Sequence, residues 1–439
     1  MTKSVHCRTR YCVKTLASEV DEDMPAELIV SELMKLLQSL LVDVEEADLC
    51  VKEQRAVEFG RRAAELAMER MLSAEEEEPT EIPCECGAKA YAKDKRSRVQ
   101  VTLAGTHSIV GRRYHCSSCG AWSQPRNEKL GIGVGNYSPG VVALTSEVAG
   151  GFPFSACEEF LARRFGLDLC YKQVQRIAER TGAVLAKQEK AQAELAVSPG
   201  CTVISSESPD TMTIGADGLM VHSNGSWQEM KVGTILSEYG RSSIATMSRC
   251  EEFGDSLYLE AAIRGVGNAK TVVFVADGAV WIWNLVAKHF PEAIEIVDWY
   301  HAVGHLWQVA NSWYGDGTDK AKKWVKRNKA RLIEDGVERV ISSIRQWDPM
   351  TEEQHILKRE NLGYFTRNAK RMLYATFELN GFNIGSGSVE SACKQYGQGR
   401  LKQAGMRWKS EGIEAVAHLR SALLNRRTDK ILEVAKIAA

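Results

Sequence analysis

The chain has no uninterrupted apolar run near the roughly 18 residues that a membrane-spanning helix needs. Its opening residues, Met1 to Arg10, are charged and no apolar stretch follows them. Neither a membrane anchor nor a secretory leader is predicted, and the expected location is cytoplasmic. Net charge is also missing: 56 Lys and Arg stand against 57 Asp and Glu, a formal net charge of −1. That excludes a uniformly basic nucleic-acid coat. A disulfide framework is absent too, because the twelve cysteines lie mostly singly in helix-like or strand-like segments, which suits a reducing compartment.

What is there is an ordinary globular composition, 44% apolar and 26% charged over 439 residues, long enough for two or three folded units. Charge is segregated along it. Glu75-Glu76-Glu77-Glu78-Pro79-Thr80-Glu81 is acidic, whereas residues 320–331 carry Lys320, Lys322, Lys323, Lys326, Arg327, Lys329 and Arg331 without an acid. Helical periodicity in Leu28, Ile29, Leu33, Leu36, Leu37, Leu40 and Leu41, followed by the Ala/Glu/Arg-rich stretch Ala56 to Met71, predicts an N-terminal helical region over residues 1–80. The acidic run with Pro79 reads as a solvated linker or a frayed helix end.

Residues 81–130 read as a zinc-ribbon-like module. Cys84-Glu85-Cys86-Gly87 and Cys116-Ser117-Ser118-Cys119-Gly120 bracket strand-like sequence. Each Cys-Gly step lets the backbone turn tightly under a metal, and four thiolates on one Zn²⁺ would staple a small β-rich piece without a core of its own. The first knuckle, C-x-C, is one residue shorter than the usual spacing, which leaves a degenerate ribbon, or His115 in place of one thiolate, as alternatives. Residues 131–200 read as helical. Within them, Phe154 to Phe165 and the segment after Gly166 resemble a helix-turn-helix, with Lys172, Gln173, Gln175, Arg176 and Arg180 outward on the second helix. That mix suits phosphate anchoring and base-edge contact in a major groove, although any helical hairpin with a basic face looks alike.

From Thr211 short β-like runs appear, Thr211–Ala216, Glu229–Leu236 and Ser243–Arg249, parted by Asn224-Gly225 and Tyr239-Gly240. A helix over Glu252–Arg264, a strand over Thr271–Ala276, a helix over Ala279–His289 and a strand over Ile294–Val297 follow. The order over residues 201–301 is βββαβαβ, the layout of an α/β catalytic core of ribonuclease-H-like fold, in which the first and fourth strands are neighbours. Asp217 and Asp277 follow those two strands, each before a Gly. Two like charges brought together in a semi-buried place are sensible only around divalent cations, with Mg²⁺ the expected occupant; alone, each Asp-Gly pair also fits a simple strand-end turn. A third carboxylate, Glu390, sits where Ser388 after Gly385-Ser386-Gly387 can cap a new helix. It equally fits a dipole-favoured acid paired with Lys394 at i+4.

Taken together, Asp277-Gly278-Ala279 with Trp281-Ile282-Trp283, Phe290-Pro291-Glu292-Ala293, Asp298-Trp299-Tyr300-His301-Ala302, Gly385-Ser386-Gly387-Ser388-Val389-Glu390 and Gly405-Met406-Arg407-Trp408 resemble the insertion-sequence transposases of the ISKra group, relatives of Mutator-type transposases. The resemblance covers about residues 80–425. It implies movement of a mobile DNA element by an Asp-Asp-Glu triad that Asp217, Asp277 and Glu390 match, acting with two Mg²⁺ ions that Asp217 bridges. It also singles out the D-x-x-H of Asp298 and His301: Asp298 competes with Asp277 for the second carboxylate position, and His301 could orient the scissile DNA or a water.

The interval from Asp277 to Glu390 far exceeds one helix. Residues 302–380 read as an all-helical insertion carrying Trp307, Trp313, Trp324 and Trp347 among basic residues, either as a tryptophan core or as a surface where an aromatic stacks on a displaced base. Residues 381–439 read as core C-terminal helices with a basic tail. Lys322, Lys323, Lys326, Arg327, Arg400, Lys402 and Arg407 are the expected phosphate contacts, beside Lys172, Arg176 and Arg180. The expected partner is double-stranded DNA, both element terminal inverted repeats and target, with a homo-oligomer at synapsis. A catalytically idle DNA-binding descendant and a ribonuclease-H-type nuclease are the other readings.

Overall fold

The computed structural model describes residues 26–42, 47–73, 78–133, 135–334 and 336–438. The charged start Met1 to Arg10 and the acids Glu75 to Glu77 lie outside them. The chain divides between Lys129 and Leu130 into two compact units.

In the first unit α1 (Ala26–Leu41) and α2 (Leu49–Ser73) precede β1 (Glu81–Pro83), β2 (Lys89–Thr102), β3 (Gly105–His115), β4 (Trp122–Ser123) and the short α3 (Pro125–Lys129). The strands form one antiparallel sheet in chain order. Gly105 turns the long β2–β3 hairpin at φ 105°, and the Thr102 hydroxyl donates to the Gly105 carbonyl at 2.9 Å. The expected split between a helical region and a separate ribbon does not appear: Arg126 donates to the Val110 carbonyl at 2.7 Å and to the carbonyl of Leu72 in α2, so helix and sheet share one unit. Under the knuckle end of the sheet only Ala90, Tyr114 and Cys116 are fully buried. So small a core needs another source of stability.

In the second unit Ser138 caps α4 (Pro139–Gly151). Gly166, left-handed at φ 68°, ends α5 (Phe154–Phe165) before α6 (Tyr171–Ala196). α6 runs well past a short recognition helix because its apolar stripe persists through Leu185 to Ala193 and Ala196. The hairpins β5 (Thr211–Ser223), β6 (Ser226–Ser237) and β7 (Gly240–Thr246) come next, then α7 (Cys250–Ile263), β8 (Thr271–Ala276), α8 (Val280–His289) and β9 (Ile294–Val297). The sheet order is β7-β6-β5-β8-β9, with β8 parallel to β5 and β9 parallel to β8. Asn224 and Gly225, at φ 51° and 81°, make the β5–β6 turn. This pairing carries β5 seven residues beyond its predicted end, because Val221 and Met230 have their own apolar cluster to fill.

Five helices leave the sheet after β9: α9 (Trp299–Tyr314), α10 (Asp319–Glu334), α11 (Val337–Arg345), α12 (Glu352–Arg367) and α13 (Tyr374–Leu379). Trp324 and Trp347 are 2% and 1% exposed and Trp313 contacts both rings, so these tryptophans are core, not a base-stacking surface. α14 (Gly387–Tyr396), a π-helical turn Gly397–Leu401, α15 (Ser410–Leu424) and α16 (Asp429–Ala438) complete the unit. One sheet face is covered by α7 and α8 through Phe253, Leu257 and Leu285; Val221, Met230 and Val232 meet Ala392, Tyr396 and Ile413 of α14 and α15. α6 lies against α15 so closely that a Cβ at Gly182 would sit 2.3 Å from the Ala415 carbonyl oxygen.

Candidate active site and four-cysteine centre

β5 and β8 pair in parallel with Ala216 opposite Ala276, so the next residues, Asp217 still within β5 and Asp277 just past the end of β8, are neighbours. Adjacent strands lie about 4.8 Å apart. Asp217 is half-buried and its carboxyl is held above the ordinary carboxylate range, first by burial and then by the charge of Asp277. Its Oδ1 accepts from Gly218 N at 2.7 Å, and the Cys393 thiol of α14 lies 3.7 Å from its Oδ2. Asp277 Oδ1 accepts from Ala279 N at 2.8 Å, while the Tyr364 hydroxyl donates to the Asp277 carbonyl at 3.0 Å and ties α12 to this turn.

Glu390 stands apart. It lies in the first turn of α14, its side chain is 64% exposed, and its Oε1 is 2.7 Å from Lys394 Nζ. Val389 beside it packs towards Gly215, where a Cβ would be 3.4 Å from Val389 Cβ, so α14 itself is seated on β5. Among the described residues the three carboxylates do not converge to metal-ligand spacing. Two aspartates already repel each other here, and the exposed glutamate satisfies its charge on its own helix.

Asp298, the competitor of Asp277 for the second carboxylate position, has a different role in the structure. It is 1% exposed and caps α9: Oδ1 accepts from His301 N at 2.7 Å and lies 3.2 Å from His301 Nδ1, and Oδ2 accepts from Ser386 N. Burial alone would raise its pKa, but the His301 and Ser386 hydrogen bonds prevail and hold it at about 2. Both oxygens are therefore occupied by this chain. His301, exposed on α9, is raised above the usual imidazole value by its bond to Asp298 and then by the charges of Asp298, Asp277 and Asp217, against opposing burial. Its ring lies near enough to Asp277 and Asp217 for both charges to favour its protonation.

Three neighbours escaped the sequence reading. His305 stacks on Tyr364 at 3.7 Å, bonds Asn361 at 2.8 Å and has its pKa lowered by burial, opposite in direction to His301. Its signal was available, since it follows His301 by four residues on one helix face. Tyr364 and Cys393 had no local signal. Burial, then the Asp217 charge, pushes the Cys393 thiol up to about 12, so it is a neutral donor and not a nucleophile.

In the first unit Cys84, Cys86, Cys116 and Cys119 bring their sulfurs within 4.8 Å of one another, a set that could hold a metal ion. Sulfur separations are 3.6 Å for Cys84–Cys119 and Cys84–Cys86 and 3.7 Å for Cys86–Cys116. The short first knuckle reaches the cluster because Gly87, at φ 85°, turns the chain back and donates to the Cys84 carbonyl at 2.9 Å. Backbone N–H groups of Cys119 and Ser118 lower the Cys116 thiol to about 6. His115 instead lies against Trp122 at 4.6 Å.

Of the expected phosphate contacts, Lys172, Arg176 and Arg180 are exposed at four-residue spacing along α6, and Lys322, Lys323, Lys326 and Arg327 are exposed on α10. Lys402 and Arg407 are exposed as well. Arg400 is corrected: it is 0% exposed, donates from Nε to the Ala149 carbonyl at 2.8 Å, and lies over the Phe154 and Trp408 rings at 4.8 and 5.1 Å. Burial lowers its pKa to about 10. Its cation is met by the carbonyl end of α4 and two aromatic faces. It cannot reach a phosphate.

No protein-family model matches the chain, and no curated protein matches it either. No described helix is long and apolar enough to cross a membrane.

Proposed function

We propose that the second unit is a metal-dependent phosphoryl-transfer enzyme acting on polynucleotides, of ribonuclease-H-like fold. Within that class the chain is a DNA transposase of an insertion sequence, as its resemblance to the ISKra group implies. The observation that carries the reading is the in-register parallel pairing of β5 with β8, which delivers Asp217 and Asp277 side by side. Two adjacent carboxylates, of which Asp217 is raised first by burial and then by the charge of Asp277, are a donor pair suited to a hard divalent cation.

Asp217 and Asp277 would hold the Mg²⁺, and Glu390 would be the third carboxylate, free to join them only without its Lys394 pairing. Bound magnesium supplies water activation and charge stabilisation for in-line attack on a phosphodiester. His301, when protonated, would offer its ring to a DNA phosphate, and Asp298 fixes that ring and the loop leading to Glu390. The exposed bases of α6 and α10 hold duplex DNA.

The test is cleavage of DNA carrying the inverted repeats that flank the coding region, with and without Mg²⁺. The unsubstituted chain should cut, and Asp217→Ala should bind the same DNA without cutting. Retained cleavage in that variant refutes the assignment.

For the four cysteines we propose one structural Zn²⁺. A tetrahedron of thiolates at about 2.3 Å from zinc has sulfur–sulfur edges of about 3.8 Å, against the observed 3.6 to 3.7 Å. Metal analysis should find near one zinc per chain and much less in Cys86→Ser; a full complement of zinc in that variant would remove Cys86 from the set.

A further inference from the structure

The first unit buries very few side chains at its knuckle end, yet it leaves large rings outside. Tyr91 is 48% exposed and Trp122 53%. They are not scattered. Tyr91 pairs across strands with His115, and His115 with Trp122, so three rings stand in one line across β2, β3 and β4, about 10 Å from end to end.

The Arg113 guanidinium extends that surface. It lies 4.5 Å over the Trp122 ring, and Asp94 holds it by two bonds of 2.8 and 2.7 Å. A planar cation fixed in this way can itself stack. From Lys89 to His115 there are seven Lys and Arg against the single acid Asp94; Glu81 of β1 faces Tyr91 and is neutralised by Lys89, as Glu78 is by Arg112. Lys93 and Lys95 are exposed on the strand that carries Tyr91.

We propose that this face is a stacking platform for single-stranded DNA. Duplex DNA keeps its base faces inside, so a row of exposed rings gains nothing from it beyond phosphate attraction. An unpaired strand presents base faces to Tyr91, His115 and Trp122 while its phosphates meet the lysines. The choice of DNA as the strand rests on the proposed function; the platform itself does not.

The experiment uses the full chain and a fluorescein-labelled thymidine strand of about 20 nucleotides. Anisotropy is read without added magnesium, where no cutting occurs, so a failure of the transposase reading leaves the measurement intact. Tyr91→Ala and Trp122→Ala should each weaken strand binding about tenfold, Trp122→Phe by less than about threefold, and neither Ala variant should change duplex binding. A strand carrying bromouracil should photocrosslink to Tyr91, His115 or Trp122 of the unsubstituted chain, which keeps the test valid even if a variant unfolds. Ala variants that bind the strand like wild type, crosslinks confined to other residues, or tighter binding of the matching uridine RNA would each overturn the proposal.

Discussion

Replacing Asp298 by Asn probes whether this carboxylate is a structural latch or a metal ligand. Its pKa falls from 3.8 to about 2 on folding. Such a shift corresponds to about 2.5 kcal/mol of native stability at neutral pH. Because the folded value is the depressed one, the contribution is present above about pH 4 and is lost as pH falls towards about 2. The amide in Asp298→Asn keeps one acceptor but loses the charge, so the variant should be less stable by about 2 kcal/mol at pH 7. Urea denaturation from neutral to acid pH should show the two curves converging below about pH 4. Histidine-labelled NMR should also find the His301 pKa lower in the variant, since the Asp298 bond is the first cause of its elevation. A stability gap that does not change with pH, or an unmoved His301, would refute the latch. If Asp298 were instead a ligand, added Mg²⁺ should stabilise wild type over the variant, which the occupied oxygens argue against.

Two further outcomes follow from buried cations. Arg400→Ala should cost about 3 kcal/mol of stability while leaving the salt dependence of DNA binding as it was; Arg407→Ala should spare stability and reduce the salt slope by about one. His418 lies between Glu189 at 2.6 Å and Glu414 at 3.1 Å. Burial would lower its pKa, but the two carboxylates raise it to about 10. A raised histidine contributes fully below its unfolded value of about 6.5 and loses that contribution as pH climbs towards the folded one. Thermal melts of wild type should therefore decline between about pH 7 and 10, and those of His418→Gln should be flatter over that range. Parallel profiles would show that the imidazolium is not charged in the folded chain.

What was legible in the sequence was local. The runs Thr271–Ala276 and Ile294–Val297 are strands with those bounds, because a short apolar stretch between turn residues has few alternatives. Asp217 and Asp277 could be placed side by side because each ends a stretch whose partner strand was already identified. The failures share a cause. Arg400 looked like a phosphate contact in a basic tail, but the Ala149 carbonyl it reaches is 251 residues away. Asp298 could compete with Asp277 because it too ends a predicted strand, and the backbone N–H that occupies its second oxygen is 88 residues on. The tryptophans after β9 left a core and a base-stacking surface both open, because their neighbours in sequence are basic; in space Trp313 packs against Trp324 and Trp347, which is the core reading. Glu390 kept both readings to the end, since its Lys394 pairing is local and its approach to Asp217 depends on how α14 is seated.

The way the five helices leave and rejoin the sheet has a consequence for how this chain could have been assembled. Trp299, their first residue, donates its backbone N–H to the carbonyl of Ile384 at 2.9 Å. The excursion thus begins and ends at one point, and between its ends Tyr364 and Tyr374 tie it back to the Asp277 and Val297 carbonyls at 3.0 Å each. Loop-closure entropy grows by only about 0.6 kcal/mol per doubling of length, so the sheet scarcely registers how much chain hangs there. Yet Trp324 and Trp347 share one apolar core with Ile214, Phe274 and Ile296 of the sheet. A helical body of another length could be accommodated only if it filled that shared core as well as closing at the same hydrogen bond.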